Sequence, residues 1–119
     1  GPANRNDMEW GKNPELTEKF RQLSEARKHS EALQYGSQQE IHCAKDTYAF
    51  SRIRPEEEVV CVFNKGDEPQ TVTLPLHKDS PIPELARLKD MFGDQAVTVQ
   101  QRSVTVTVPA KGYRYLQWK

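Results

Sequence analysis

The chain has 119 residues, of which 35% are hydrophobic and 29% charged. Its 17 basic and 17 acidic side chains cancel, and neither sign gathers into a long block. That argues against nucleic-acid or membrane-surface partners, where one face carries a basic excess, and no stretch approaches the ~20 consecutive apolar residues of a membrane span. One soluble domain with a lean core is the class that remains.

Residues 1–12 are broken by Gly1, Pro2, Asn4, Asn6, Asp7 and Gly11 and read as a loop. Asn13-Pro14 then starts a helix, with Asn as the cap and Pro at the first helical position. Glu15 and Glu18 stand beside the positive end of its dipole, and Arg27, Lys28 and His29 beside the negative end. Leu16, Phe20 and Leu23 make one narrow apolar stripe between them, so a helix is predicted from Pro14 to His29.

After Gly36 the hydrophobic period changes from helical to alternating. Gln39–Ala44 and Asp46–Arg54 form a predicted hairpin turning at Lys45-Asp46, and Glu57–Asn64 a strand apolar on both faces, as at the centre of a sandwich. Lys65-Gly66-Asp67 turns into a strand over Gln70–Leu76. Pro75, Pro81 and Pro83 bracket an irregular crossing, and Glu84–Phe92 fits either a helical turn or a short edge strand. Ala96–Gln100 and Ser103–Val108 read as a second hairpin across Gln101-Arg102, and Tyr113–Trp118 as the last strand. The fold class predicted is mainly β, a Greek-key antiparallel β-sandwich of about seven to eight strands preceded by one α-helix. Its core is expected to run through Phe50, Val60, Val62, Leu74, Val104, Val106 and Leu116.

The polar residues offer little chemistry. Glu56-Glu57-Glu58 and Asp67-Glu68 stand next to Pro and Gly and read as solvated hairpin tips. His42 and His77 read as surface or partly packed residues. Cys43 and Cys61 make no metal-ligand spacing with His29, His42 or His77; either they form a disulfide, if their strands pair, or they act as small apolar residues. No loop has phosphate-cradling spacing and no serine stands on a nucleophile elbow, so no cofactor and no metal are expected. Tyr113 and Tyr115 share one face of the last strand, which fits a stacking platform for sugar rings or an aromatic face that closes the sandwich.

Asn4-Arg5, Met8 and Trp10, then Phe20-Arg21-Gln22-Leu23 and Ala26-Arg27-Lys28, then Ala32-Leu33 and Tyr35-Gly36, follow one another in an informative order. With Tyr48-Ala49-Phe50-Ser51-Arg52, Val59-Val60-Cys61-Val62-Phe63-Asn64, Thr71-Val72-Thr73-Leu74-Pro75 and the closing Val108-Pro109-Ala110-Lys111-Gly112-Tyr113, the whole chain resembles the C-terminal end of α-amylase-family glycoside hydrolases. The nearest group is that of neopullulanases, cyclomaltodextrinases and maltogenic amylases. Gly1 and Ala3 depart from the family loop, standing where carboxylates are usual, and Asp7 replaces a common proline.

The resemblance implies that residues 1–35 are the last loop and final helix of a catalytic barrel, and 36–119 its C-terminal β-sandwich domain. The catalytic carboxylates would lie upstream, leaving this chain non-catalytic and acting as a cap on its own barrel. The alternative is a carbohydrate-binding module for α-glucans. Arg5 is a candidate sugar contact in the parent enzyme or a surface arginine; Tyr113 and Tyr115 are candidates for glycan stacking. The helix stripe of Leu16, Phe20 and Leu23, without its barrel, implies self-association or folding back.

Overall fold

The computed structural model describes residues 14–119. The loop over residues 1–12, the Asn13 cap and the side chain of Leu16 lie outside the described residues. The chain divides into two compact units, one ending at Ser30 and one spanning Glu31–Lys119.

In the first unit, helix α1 (Pro14–Lys28) ends on its basic residues Arg27 and Lys28, one residue short of the predicted end. His29 N and Ser30 N close it with bonds to Ala26 O and Arg27 O at 3.0 and 3.3 Å. Phe20, on this helix, is 56% exposed.

The second unit opens with a short helix, α2 (Glu31–Tyr35), followed by β1 (Ser37–Cys43), β2 (Thr47–Arg54), β3 (Glu57–Asn64), β4 (Gln70–Pro75), β5 (Arg87–Asp90), β6 (Ala96–Thr98), β7 (Ser103–Val108) and β8 (Gly112–Trp118). All pairings are antiparallel. One sheet has the order β1-β2-β3-β8-β5-β6 and the other is the pair β4-β7. The chain passes between sheets on going from β3 to β4, β4 to β5, β6 to β7 and β7 to β8, which makes the antiparallel sandwich that the alternating strands predicted.

Strand β3 is buried along nearly its whole length, because it has a neighbour on each side and something packed on each face. Its inward residues Val60 and Val62 meet Ala49, Leu88 and Leu116 of their own sheet and Leu74, Val104, Val106 and Val108 of the other. Each such side chain withdrawn from water contributes roughly 1.5–3 kcal/mol. Asn64, at the end of β3, ties the sheets at one corner: its Nδ2 donates to Glu68 O, Val108 O and Pro109 O at 2.8, 3.2 and 3.3 Å.

Phe50 is a correction to the expected core. In β2 the inward positions are Ala49 and Ser51, so the alternation carries Phe50 to the outer face, opposite Cys61. A second correction concerns the predicted hairpin over Ala96–Val108. Its turn stands at Gln101 and Arg102, both left-handed with φ of 53° and 60°, and Gln100 bridges Ser103. The strands beyond it part: β6 pairs with β5, and β7 with β4. Val97 and Val99 therefore face Val104 and Val106 across one interior, whereas a flat hairpin would bury only one side. Glu84–Phe92 resolves as β5, a short strand lying between β8 and β6 and not at an edge. Cys43 and Cys61 are both free, one exposed and one buried; β2 separates their strands, so no disulfide joins them.

Candidate functional site: the aromatic face of the larger sheet

Alternation along β2, β3 and β8 sends one set of residues away from the core. Tyr48, Phe50, Cys61, Phe63, Tyr113 and Tyr115 come out on this side by register, Tyr48 opposite Phe63, Phe63 opposite Tyr113, and Cys61 opposite both Phe50 and Tyr115. Their rings form a connected array. Phe50 stacks on Phe63 with centroids 5.9 Å apart, Phe63 meets Tyr115 edge-on at 5.9 Å, and Tyr48 lies 6.1 Å from Phe50. Phe92 joins from beyond β5, at 5.3 Å from Tyr113 and 5.4 Å from Tyr115. These separations lie in the attractive range for tilted and offset aromatic pairs.

Asp90 positions the Phe92 end of this array. Its Oδ1 accepts from Phe92 N at 3.1 Å and Tyr115 N at 3.4 Å, and its Oδ2 from Arg114 Nη1 at 3.0 Å. Tyr115 is only 8% exposed and Tyr48 36%, while Phe50, Phe63, Phe92 and Tyr113 are half-buried. Burial pushes the Tyr115 hydroxyl and the Cys61 thiol well above their ordinary pKa values. Both stay neutral, and a buried thiol held neutral is a poor nucleophile.

The chain enters the sandwich on this same side. Helix α2 packs on β2 and β3, with Ala32 N donating to Glu57 Oε1 at 3.0 Å. Arg52 donates to Gly36 O through Nε at 3.2 Å and Nη2 at 3.0 Å. A Cβ on Gly36 would stand 2.6 Å from Ala32 O, so only glycine allows the helix to turn so closely into β1. Glu57 is completed by Gln117 Nε2 at 2.6 Å.

Glu57 and Glu58 correct the reading of the acidic run as a solvated tip. Glu56 is exposed, but Glu57 and Glu58 are 5% and 0% exposed. Consecutive strand residues point to opposite faces, so Glu57 serves the outer side and Glu58 the interior. Glu58 accepts from Ser51 Oγ at 2.7 Å and Ser80 Oγ at 2.5 Å. Burial raises its pKa, against the opposing pull of the Ser80 and Ser51 hydroxyls, Arg102 and His77. Retaining glycoside hydrolysis needs two carboxyls about 5 Å apart flanking the substrate, which neighbours on opposite faces of one strand do not supply. The sequence did carry the signal: Glu58 continues the inward row of Val60 and Val62.

The remaining candidates are separate from the array. His42 Nε2 lies 2.8 Å from Thr47 Oγ1, and His77 Nδ1 accepts from Asp79 N at 3.0 Å. Arg5 lies outside the described residues. On the opposite side of the sandwich an open groove of about 730 Å³ is lined by Thr73, Glu84, Leu85, Gln95, Gln101 and Thr105, among others. Leu85, on its rim, is left-handed with φ 68°.

Comparison with known proteins adds a family. The family described as maltogenic amylase, C-terminal domain, matches residues 39–115. A curated relative, the beta/alpha-amylase of Paenibacillus polymyxa, is 29% identical over 110 residues, which cover 92% of this chain and 9% of that protein. Among solved structures, the α-amylase of Geobacillus thermoleovorans complexed with acarbose superposes with a TM-score of 0.73 at 17% identity, over 90% of this chain and 24% of its own. The maltogenic α-amylase AmyB of Thermotoga neapolitana gives 0.68 at 18% identity, over 87% of this chain and 25% of its own. At such identities the structural likeness speaks for the fold. The chain spans a tenth or less of the curated relative and about a quarter of each structure.

Proposed function

The chain belongs to the maltogenic amylase C-terminal domain family, and on that premise we propose that it is the non-catalytic C-terminal domain of an α-glucan-acting glycoside hydrolase. Its role is to stabilise and cap a catalytic barrel encoded upstream, with starch, pullulan, cyclodextrins or maltodextrins as substrates of the parent. We assign residues 1–35 to the end of that barrel and 36–119 to the sandwich, with α2 (Glu31–Tyr35), which packs on β2 and β3, at the junction. The family match over residues 39–115 carries this reading. The use of Glu57, Glu58 and Asp90 in internal hydrogen bonds supports it, since each of these buried carboxylates is engaged in holding the fold.

The test is hydrolysis and retardation together. Purified chain should release no reducing sugar from maltodextrins, cyclodextrins or pullulan above a buffer control, and should run unretarded in gels containing amylose or pullulan. Hydrolysis that survives repurification overturns the reading. The second reading, an α-glucan-binding module, is favoured by Tyr113 and Tyr115 sharing an aromatic array with Phe92. It requires retardation in those gels that Tyr113→Ala abolishes. The exposure of Phe20 on α1 supports self-association of the separated chain through this helix, which Phe20→Ser should weaken in sedimentation velocity while leaving the sandwich's melting transition unchanged.

A further inference from the structure

The turn at Gln101-Arg102 begins a hairpin that is not completed. Gln100 N donates to Ser103 O at 2.9 Å and Ser103 N to Gln100 O at 3.1 Å, and beyond that bridge β6 and β7 do not pair. The next step of the same register would set Thr98 against Thr105. Val99 N donates to Ala86 O and Asp90 N to Gln95 O, so β6 bonds β5 through its odd-numbered residues. Alternation then turns the N–H and C=O of Thr98 away from β5. Leu76 N donates to Arg102 O, so β7 bonds β4 through its even-numbered residues and turns those of Thr105 away from β4. Two unpaired strand edges therefore open on one groove of about 730 Å³, which Thr98, Ser103 and Thr105 help to line.

Folded proteins usually blunt such edges, but here the rim is held in place. Leu85 is 65% exposed and left-handed at φ 68°, a costly conformation for a leucine. Its N–H donates to Val99 O at 2.9 Å, and the neighbouring Glu84 Oε2 accepts from Gln101 N at 2.8 Å. Backbone strain persists where the surroundings over-determine it, and it clusters at ligand clamps.

We propose that this opening is a strand-addition site for an extended peptide of a partner protein, which pairs with Thr98 of β6 and Thr105 of β7 and brings a basic side chain to Glu84. Three observations choose that occupant. Two free strand edges present alternating N–H and C=O groups, which another extended backbone matches on both of its sides. Sheets packed face to face stand ~10 Å apart, close to two strand spacings of ~4.8 Å, so one extended strand spans the opening. Glu84 is the single charged side chain in the lining, and with Oε2 taken by Gln101 N its Oε1 faces a lysine or arginine of the peptide. Leu85 beside it gives an apolar side chain of the peptide something to pack on. The site is separate from the capping role and does not depend on it.

The 119-residue chain carries the test, with an acetylated and amidated nonapeptide of alternating threonine and valine around one central lysine as the probe. Amide hydrogen exchange followed by NMR reads each edge. Without peptide, the N–H groups of Thr98 and Thr105 should exchange fast, since no strand covers them. With peptide at ten times its dissociation constant, both should slow about tenfold. The same peptide N-methylated at alternate amides loses one row of donors and should give no protection, and replacing its lysine by glutamate should weaken binding. Thr98→Pro removes an edge N–H that β5 does not use; it should melt like the unsubstituted chain and abolish the protection of Thr105. Should that variant misfold, the N-methylated peptide asks the same question of the unsubstituted chain. Unchanged exchange at Thr98 and Thr105 overturns the proposal, as does equal binding of the N-methylated peptide. Protection without peptide in a chain that sediments as a dimer gives the edges to a second copy and overturns it too. So does protection by maltoheptaose in place of the peptide, which gives the groove to a sugar.

Discussion

The outer faces of the two sheets are built by one rule and come out unlike. In β4 and β7 the alternation puts Leu74, Val104 and Val106 inward and a threonine ladder outward. In β2, β3 and β8 it puts Ala49, Val60, Val62 and Leu116 inward and aromatic rings outward. The inner rows are interchangeable in kind: aliphatic, buried, fixed by the same period of two. The outer rows are not: one is a row of paired hydroxyls and the other a set of packed rings. What the difference teaches is that the strand period reports the interior, while the residue types outside vary from one sheet to the other.

The largest effect breaks both faces at once. Val106 is 2% exposed in the shared core, so Val106→Asp removes a buried aliphatic side chain worth roughly 1.5–3 kcal/mol and places an unpaired charge beside it. The total approaches the whole stability of a small domain, about 5–15 kcal/mol. The variant should be unfolded or insoluble by circular dichroism. A melt like that of the unsubstituted chain would mean that the inward row of β7 has been chosen wrongly, and with it the identity of both outer faces.

The next substitution strikes the Phe92 end of the aromatic array where it is tied to the other sheet, since Arg114, held by Asp90, also donates through Nε to Thr107 O of β7. Asp90→Ala leaves the guanidinium of Arg114 and the N–H groups of Tyr115 and Phe92 without their shared acceptor, a loss of about 3–5 kcal/mol when one partner of a buried ion pair is removed. Urea unfolding should show this loss, and near-ultraviolet circular dichroism should show weakened ring packing as Phe92 comes away. Asp90→Asn keeps an acceptor and should lose less. An Asp90→Ala protein with unchanged aromatic signal would separate the Asp90 network from the face.

These expectations also show how far the sequence reached. Val60 and Val62 of β3 and Leu116 of β8 stood in strand patterns of their own, and the inner rows of β4 and β7 were legible because each alternates Val or Leu with threonine. The pairing of β6 and β7 was not. A two-residue turn between alternating runs reads as a hairpin, and only the interior shared by Val97, Val99, Val104 and Val106 decides that the strands part. Phe50 was misread because hydrophobicity was allowed to override register: in β2 the small residues Ala49 and Ser51 face inward. Tyr113 and Tyr115 were found as a pair on one face, but Phe63, Phe50 and Phe92 were not added to them, since strand order brings them together. Glu58 was misread because acidic residues beside a proline usually mark a tip. Its serine partners, Ser51 and Ser80, lie 7 and 22 residues away.

Glu58 gives a smaller and pH-dependent effect, and it tests the link between the two sheets. Ser80 belongs to the segment that carries the chain from β4 of the threonine sheet to β5 of the aromatic one, and its hydroxyl holds Glu58 of β3. The pKa of Glu58 is raised above the ordinary 4.5 by burial. Between that ordinary value and the raised one, the folded chain keeps a proton that the unfolded chain has released. The unfolded state then binds fewer protons, so this group's contribution makes stability fall as pH rises through the window. Glu58→Gln should remove that slope, and the melting temperature of the variant relative to the unsubstituted chain should climb with pH before levelling. A constant difference at every pH would show that Glu58 does not titrate in this way.

The smallest effect belongs to the threonine ladder, and it sharpens the comparison most directly. Thr73 Oγ1 lies 2.9 Å from Thr105 Oγ1 on an exposed surface, where water readily replaces either partner. Cross-strand pairs of this kind contribute roughly 0.2–1 kcal/mol. Thr73→Val removes the hydroxyl but keeps the β-branched shape that suits a strand, so the loss in urea should stay below about 1 kcal/mol. Phe63→Ala, on the other face, removes a ring in contact with Phe50, Tyr113 and Tyr115. Half-buried, it should lose less than the 3–5 kcal/mol of a fully enclosed phenylalanine but at least about 1.5 kcal/mol. The two variants, unfolded side by side under identical conditions, put numbers on the two faces. Equal losses would mean that rings and hydroxyls hold the sandwich alike, and that the aromatic face has no energetic distinction to explain.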